Sequence, residues 1–191
     1  MVSQFVSPHA VGLLGDLDFD FPEGTHAIGR LDLDSEGLLL LTTDKRITRL
    51  VFLAEKPHER SYLVMVQNEM TEETFSTLEN GVPIRVGNDA FHLAKPASVL
   101  RITDPEKLYP FATDHRKAYA HTWLLINLTE GKFRQVRKMV LALRHRCQRL
   151  IRLSISGLEL GDLKPGEVRE LSAEAFYNGL GISTPSTGSK H

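Results

Sequence analysis

Apolar and polar positions change period several times along the chain. Ser61-Tyr62-Leu63-Val64-Met65-Val66 is rich in strand formers and predicts a β-strand. Thr122 to Thr129 is apolar almost without a break, as expected of a strand at the centre of a sheet. Glu130-Gly131 then turns the chain into a helix predicted from about Phe133 to Arg146. There Val136, Met139, Val140 and Leu143 recur at i, i+3, i+4 and i+7 and form one apolar face. Leu150 to Ile155 predicts a further strand. Leu38 to Leu41 reads as a buried strand ahead of the turn Thr42-Thr43-Asp44. Asp44 is placed to cap a short helix through Leu50, with Pro57 closing that region. Thr71, with Glu72 and Glu73 in the first turn, opens a helix carrying Phe75 and Leu78. Asn80-Gly81 is expected to end it in a left-handed cap.

Other segments carry no period. The opening to about Thr25 is turn-rich, and Pro83 to Ala120 reads as strands and loops. Pro105 and Pro110 mark a long surface excursion within that stretch. Gly157 to Leu171 reads as strand and turn material, with Lys164-Pro165-Gly166 as a tight turn. The end of the chain, 181–191 and above all Ser183 to His191, is small and polar and expected to be flexible. Strands and helices interleave without regular alternation, so the expected class is α+β.

A chain of 191 residues fits one compact domain or two small subdomains sharing a core. The longest apolar run, Gly37 to Leu41, is far too short to span a bilayer. Met1-Val2-Ser3-Gln4-Phe5 has no basic region followed by an apolar core, so no secretory signal is expected. Cys147 is the only cysteine, which excludes an intrachain disulfide and fits a reducing cytoplasm. The formal charge of −1 argues against a nucleic-acid partner until its distribution is considered. Asp16 to Glu36 is almost purely acidic, relieved only by Arg30. Lys132 to Arg152 carries lysine and arginine with no acid. Segregated blocks of this kind can present a basic surface to phosphates despite a neutral total.

The densest motif is Gly29-Arg30-Leu31-Asp32-Leu33-Asp34-Ser35-Glu36-Gly37. If extended, it puts Arg30 and Asp32 on one face of a cleft and packs Leu31 and Leu33 behind them. An Arg–Asp pair at a strand edge is otherwise a surface salt bridge worth little. The same residues resemble the start of a calcium loop. The bidentate acid required at position twelve would however be Thr43, and no helix precedes the loop. Tyr62 is either an ordinary half-buried strand residue or a surface on which an unpaired base can stack. Glu130-Gly131-Lys132-Phe133-Arg134-Gln135-Val136-Arg137-Lys138-Met139 opens a helix directly after a buried strand. Backbone N–H groups and cations there favour an anionic ligand. Arg137 borders the apolar stripe and can reach towards a cleft carboxylate, whereas Arg134 and Lys138 project further round, where phosphate would be met.

Taken together, Gly29-Arg30-Leu31-Asp32, the Tyr62 strand and Gly131-Lys132-Phe133-Arg134-Gln135-Val136-Arg137 resemble the RsuA-type family of pseudouridine synthases. Within it they resemble most the RluE branch, which modifies large-subunit ribosomal RNA. The resemblance runs from about Val2 to Leu171. It implies an α+β catalytic fold over 1–180, with a subdomain of roughly Pro57 to Ile126 inserted between the remaining segments and a cleft between the two. It implies isomerisation of a specific uridine to pseudouridine, in the cytoplasm, by a monomer that acts on structured ribosomal RNA and needs no cofactor or metal.

Asp32 matches the catalytic aspartate, which adds to the uracil ring or to the ribose C1′. Tyr62 matches the tyrosine that packs on the base and handles the C5 proton, and Arg137 the basic residue paired with the aspartate. Arg30, Arg60, Lys132, Arg134, Gln135 and Lys138 fall at RNA-contacting positions, and Leu31 and Val136 at the pocket wall. A rival reading is an RNA-binding or ribosome-assembly factor that keeps this fold without turnover. Three departures from the family pattern stand out: Arg60 replaces a lysine, Phe133 replaces an asparagine, and neither the Asn-Lys-Pro strand nor an S4 domain precedes Met1. The last departure leads us to expect either the residues near Val2 to Val6 at an open sheet edge or a neighbouring chain filling the gap.

Overall fold

Three long antiparallel strands set the frame of the molecule, and the computed structural model describes residues 2–52, 57–87, 90–113 and 119–183. In chain order come β1 (His26–Ile28), β2 (Glu36–Gly37), β3 (Leu40–Thr42), α1 (Lys45–Phe52) and β4 (Arg60–Gln67). They are followed by α2 (Glu72–Asn80), β5 (Val82–Val86), β6 (Ala90–Ala94) and β7 (Ser98–Ile102). The rest is β8 (His121–Leu128), α3 (Gln135–Ala142), β9 (Cys147–Ile155), β10 (Leu158–Glu159) and α4 (Ala173–Leu180). The main sheet runs β10-β9-β4-β8-β7, with β2 pairing β9 in parallel, so the sheet is mixed and the class α+β. β8 lies between β4 and β7, as its unbroken apolar sequence required.

Successive side chains of β4 point to opposite faces of this sheet. Leu63 and Met65 enter one core with Ile47 and Val51 of α1 and Tyr177 and Leu180 of α4. Val64 and Val66 enter the other, with Leu78 of α2, Val82 and Ile84 of β5, and Val136, Met139 and Val140 of α3. Each face therefore has its own helices and its own two-stranded pair, β1–β3 on one side and β5–β6 on the other.

Capping behaves as expected at two helices. Arg46 N–H donates to the Asp44 carboxylate (2.9 Å), and the Thr71 hydroxyl accepts from Thr74 N–H. Other expectations need correction. Only Leu40–Thr42 of the leucine run is strand, while Leu38 is buried in the bend after β2. Gly81 has φ +107° but ψ 147°, so the chain leaves α2 straight into β5 without the left-handed cap. α3 stops at Ala142 because Arg144 turns left-handed (φ 63°) and His145 folds back, its N–H bonding to Val140 O. Pro105, Tyr109 and Ala112 are buried, and the Tyr109 hydroxyl donates to Leu163 O (3.1 Å). The segment expected to wander over the surface thus fills the first core.

α4 had no counterpart in the sequence reading. Ser172 caps it, Gly181 ends it in the left-handed region, and the Tyr177 hydroxyl donates to Asp44 (2.9 Å) at the start of α1. Val2 to Val6 form no strand. Val2 N–H donates to Gly12 O, and Leu14 N–H to Gln4 O, in an irregular segment folded back on itself. Residues 184–191, where the flexible tail was expected, lie outside the described residues.

Candidate active site

Asp32 sits in a tight turn and not in an extended segment. Gly29 (φ +73°) and Gly37 (φ +98°) bracket the loop in backbone conformations that favour glycine, and Ser35 N–H closes a turn onto Asp32 O (2.9 Å). Ser3 fixes the near side, its Oγ accepting from Leu31 N–H (3.0 Å). At the far side the backbone meets β9. A Cβ on Gly37 would fall 2.4 Å from Arg152 O, and Leu38 N–H donates to that same oxygen at 2.8 Å. The turn throws Leu33 outward, 68% exposed, so it does not pack behind the motif as expected.

The acidic and basic blocks of the sequence meet across this loop. Arg134 grips Asp34 with both terminal nitrogens (2.9 and 2.7 Å) and stands 3.8 Å from Asp32. The Arg134 hydrogen bond holds the Asp34 carboxyl below the usual carboxylate range, against a smaller opposing effect of burial. Arg137 donates to Asp34 O, lies 3.4 Å from the Asp34 carboxylate and reaches the Ser35 hydroxyl. Arg149 holds Glu36 through two contacts (3.0 and 2.8 Å). The expected Arg137–Asp32 pair is therefore replaced. Arg134, at the cap of α3 in a left-handed conformation (φ 52°), is the arginine beside Asp32. Arg137, one turn along, meets the Asp34–Ser35 end of the loop instead. With Asp34 and Glu36 occupied by arginines, the calcium-loop geometry does not form.

Between this loop, β4 and the start of α3 lies a cleft of about 300 Å³. Arg30, Leu31, Asp32 and Tyr62 line it from the loop and β4. Lys132, Arg134, Gln135 and Val136 line it from α3 and the turn before it, with Arg60 at one side. Arg137 and Lys138 are not among its lining residues. Lys138 donates to Arg85 O (2.9 Å), and its ammonium lies over the Phe133 ring. Gln135 is buried with both ends of its amide engaged: Oε1 accepts from Lys132 N–H (2.8 Å) and Nε2 donates to Glu130 (2.6 Å). These two bonds shape the turn before α3. The cleft thus combines an accessible carboxylate beside an arginine, a tyrosine and apolar walls.

Glu130, Phe133, Leu150 and Arg152 were not singled out as site residues from sequence, yet all four line the cleft. Phe133 is 74% exposed at its mouth. For Arg152 a signal existed in the sequence, a charge in mid-strand between apolar neighbours, where alternation turns one side chain inward.

A family model described as RNA pseudouridylate synthase matches residues 17–142. The chain belongs to that family. It is 37% identical over 158 residues to the ribosomal large subunit pseudouridine synthase E of Vibrio vulnificus, covering 81% of this chain and 64% of that one. It is 33% identical over 160 residues to the protein of the same name from Xanthomonas campestris pv. campestris, covering 83% of each. A solved structure described as a pseudouridylate synthase superposes with a TM-score of 0.63 at 28% identity, over 85% of this chain and 63% of that one. The chain thus spans under two thirds of the length of the Vibrio vulnificus relative and of that solved chain. Among the described residues no helix is long and apolar enough to cross a membrane.

Proposed function

We propose that the protein isomerises a uridine of large-subunit ribosomal RNA to pseudouridine, working as a monomer in the cytoplasm. Residues 1–180 form the catalytic unit, with roughly 57–126 as an inserted subdomain. The observation that carries the reading is the presence of Asp32 and Tyr62 in one cleft walled by Leu31 and Val136, in a chain of this family. The names of the Vibrio and Xanthomonas relatives favour the large ribosomal subunit.

The target uridine leaves its stack, at a cost of a few kcal/mol, and enters the cleft. Tyr62 packs on the base while Leu31 and Val136 exclude water around it. Asp32 adds to the ring or to C1′ as the N1–C1′ bond breaks. The base turns, C5 joins C1′, the bond to Asp32 breaks with its electron pair returning to the carboxylate, and Tyr62 accepts the C5 proton. Arg134 and Arg137 hold the Asp32 turn in place, and Arg30, Arg60 and Lys132 meet the phosphates and neighbouring bases. Every heavy atom of the product comes from the substrate, and the proton lost at C5 is replaced by one taken from water at N1, so the step consumes no oxidant and no second substrate.

The test is incubation of the purified chain with unmodified large-subunit RNA, followed by mapping of pseudouridine at single-nucleotide resolution. One stoichiometric new site is expected. Absence of any new site, with binding retained, would favour a binding factor without turnover.

A further inference from the structure

Among the described residues Arg152 is the only buried lysine or arginine, with 6% of its surface exposed. It lies in mid-β9, beyond the 17–142 family match, and is the cross-strand partner of Tyr62 at a register irregularity between Ser61 and Tyr62. Its Nε donates to Leu38 O (2.8 Å), and its own backbone is clamped by Gly37 and Leu38. Its Nη2 is buried with no hydrogen-bond partner, and no carboxylate pairs with it among the described residues. Burial works against its charged form, and the Tyr62 hydroxyl is the first of the groups that oppose this. A desolvated cation without a counter-ion is costly, and its cross-strand neighbour in the cleft is Tyr62.

We propose that Arg152 is a positioning residue for Tyr62: tied to the Asp32 loop through Leu38, it fixes the Tyr62 oxygen in the cleft and supports the negative charge on it during removal of the C5 proton. The inference rests on the pseudouridine reading. Once C5 has joined C1′, the C5 proton passes to the Tyr62 phenolate oxygen. The C5–H electron pair re-forms C5=C6, the N1=C6 pair returns to N1, and water protonates N1. The link through Leu38 also couples the carboxylate loop to the tyrosine strand, so both enter the cleft in one fixed relation.

The test uses the full chain on large-subunit RNA carrying either ordinary or 5-deuterated uridine. Arg152→Met should lower kcat about tenfold or more, leave KM little changed, and raise the deuterium isotope effect by making C5–H cleavage limiting. Arg152→Lys, which keeps the charge, should recover much of the rate. In a Tyr62→Phe background Arg152→Met should cost little more. Equal losses in both backgrounds, an unchanged isotope effect, or a lysine variant as poor as methionine would overturn the proposal. If Arg152→Met fails to fold by circular dichroism, the folded lysine variant decides by whether its isotope effect exceeds that of wild type. Wild-type turnover that Tyr62→Phe does not slow defeats this proposal alone. A wild-type chain that makes no pseudouridine defeats the reading beneath it.

Discussion

The loop 29–37 and β4 deliver their side chains to the same cleft but are held there by different forces. Around Tyr62 the strand is fixed by ladders to β8 and β9 and by Leu63, Val64 and Val66, each 0% exposed. Burial of such side chains contributes about 1.5–3 kcal/mol each. The loop of Asp32 has little apolar anchorage past Leu31, and Leu33 points to solvent. Arginines 100 and 113 residues away in sequence hold it, with Arg134 on Asp34 and Arg149 on Glu36, at part-exposed contacts that surface pairing makes individually weak. The tyrosine is therefore as secure as the fold itself. Between its backbone anchors at Leu31 and Leu38 the tip that carries the carboxylate is held by a few ion pairs, and it can be displaced while the protein stays folded.

The largest expected effect falls on the strand. Leu63→Ala should cost about 2–5 kcal/mol of stability, read by urea unfolding. A loss below about 1 kcal/mol would remove the strand from its place as the rigid half.

Arg137→Met should do the reverse. It removes a charge-assisted contact worth about 1.5–3 kcal/mol from the loop, so turnover should fall roughly ten- to hundredfold while the melting temperature falls by less than in Leu63→Ala. Unchanged turnover would mean that Asp34 needs no second tether.

Salt dependence of RNA binding sharpens the comparison further. Lys132 is exposed at the cleft and Lys132→Ala should reduce the log–log salt slope by about one. Arg134 and Lys138 are engaged within the fold, so reversing the charge of both should move the slope less than their number suggests. A loss of two or more in slope would put them on phosphate.

The smallest effect is in pH, where the two halves should part. His58, just before β4, is buried with Nδ1 2.7 Å from the Ser156 hydroxyl, and burial lowers its pKa. A depressed histidine favours the fold above its unfolded value near 6.5, and that contribution is lost as pH falls through the folded value. The Asp34 pKa is also depressed, but the pairing it reports persists down to about pH 4, the unfolded carboxylate range, and is lost only as pH falls further. Melting temperature should thus begin to fall between pH 7 and 5, and less so in His58→Gln. The loop should hold until below pH 4. A wild-type curve that His58→Gln reproduces would assign the acid sensitivity elsewhere.

What the sequence revealed follows the same division. β4, β8 and the inward face of α3 were legible because strand and helix periods are local. The cap residues Asp44 and Thr71 were legible for the same reason. The motif around Asp32 marked the right loop but not its partner. Which arginine reaches which acid depends on a left-handed residue at Arg134 and on packing between segments 100 residues apart, and no periodicity encodes either. The burial of Tyr109 and the docking of α4 on α1 were likewise invisible, since each is decided by a distant surface. Arg152 carried a local sign, but its meaning depends on Leu38 and Tyr62.

The central claim is that the Asp32 carboxylate, held in the cleft by its loop, performs the isomerisation. Tritium release from [5-³H]uridine-labelled large-subunit RNA, compared between wild type and Asp32→Asn at equal RNA binding and equal melting temperature, measures it directly. The wild type is expected to release tritium steadily, and the variant none above background. Release by Asp32→Asn at a rate near that of the wild type would contradict it.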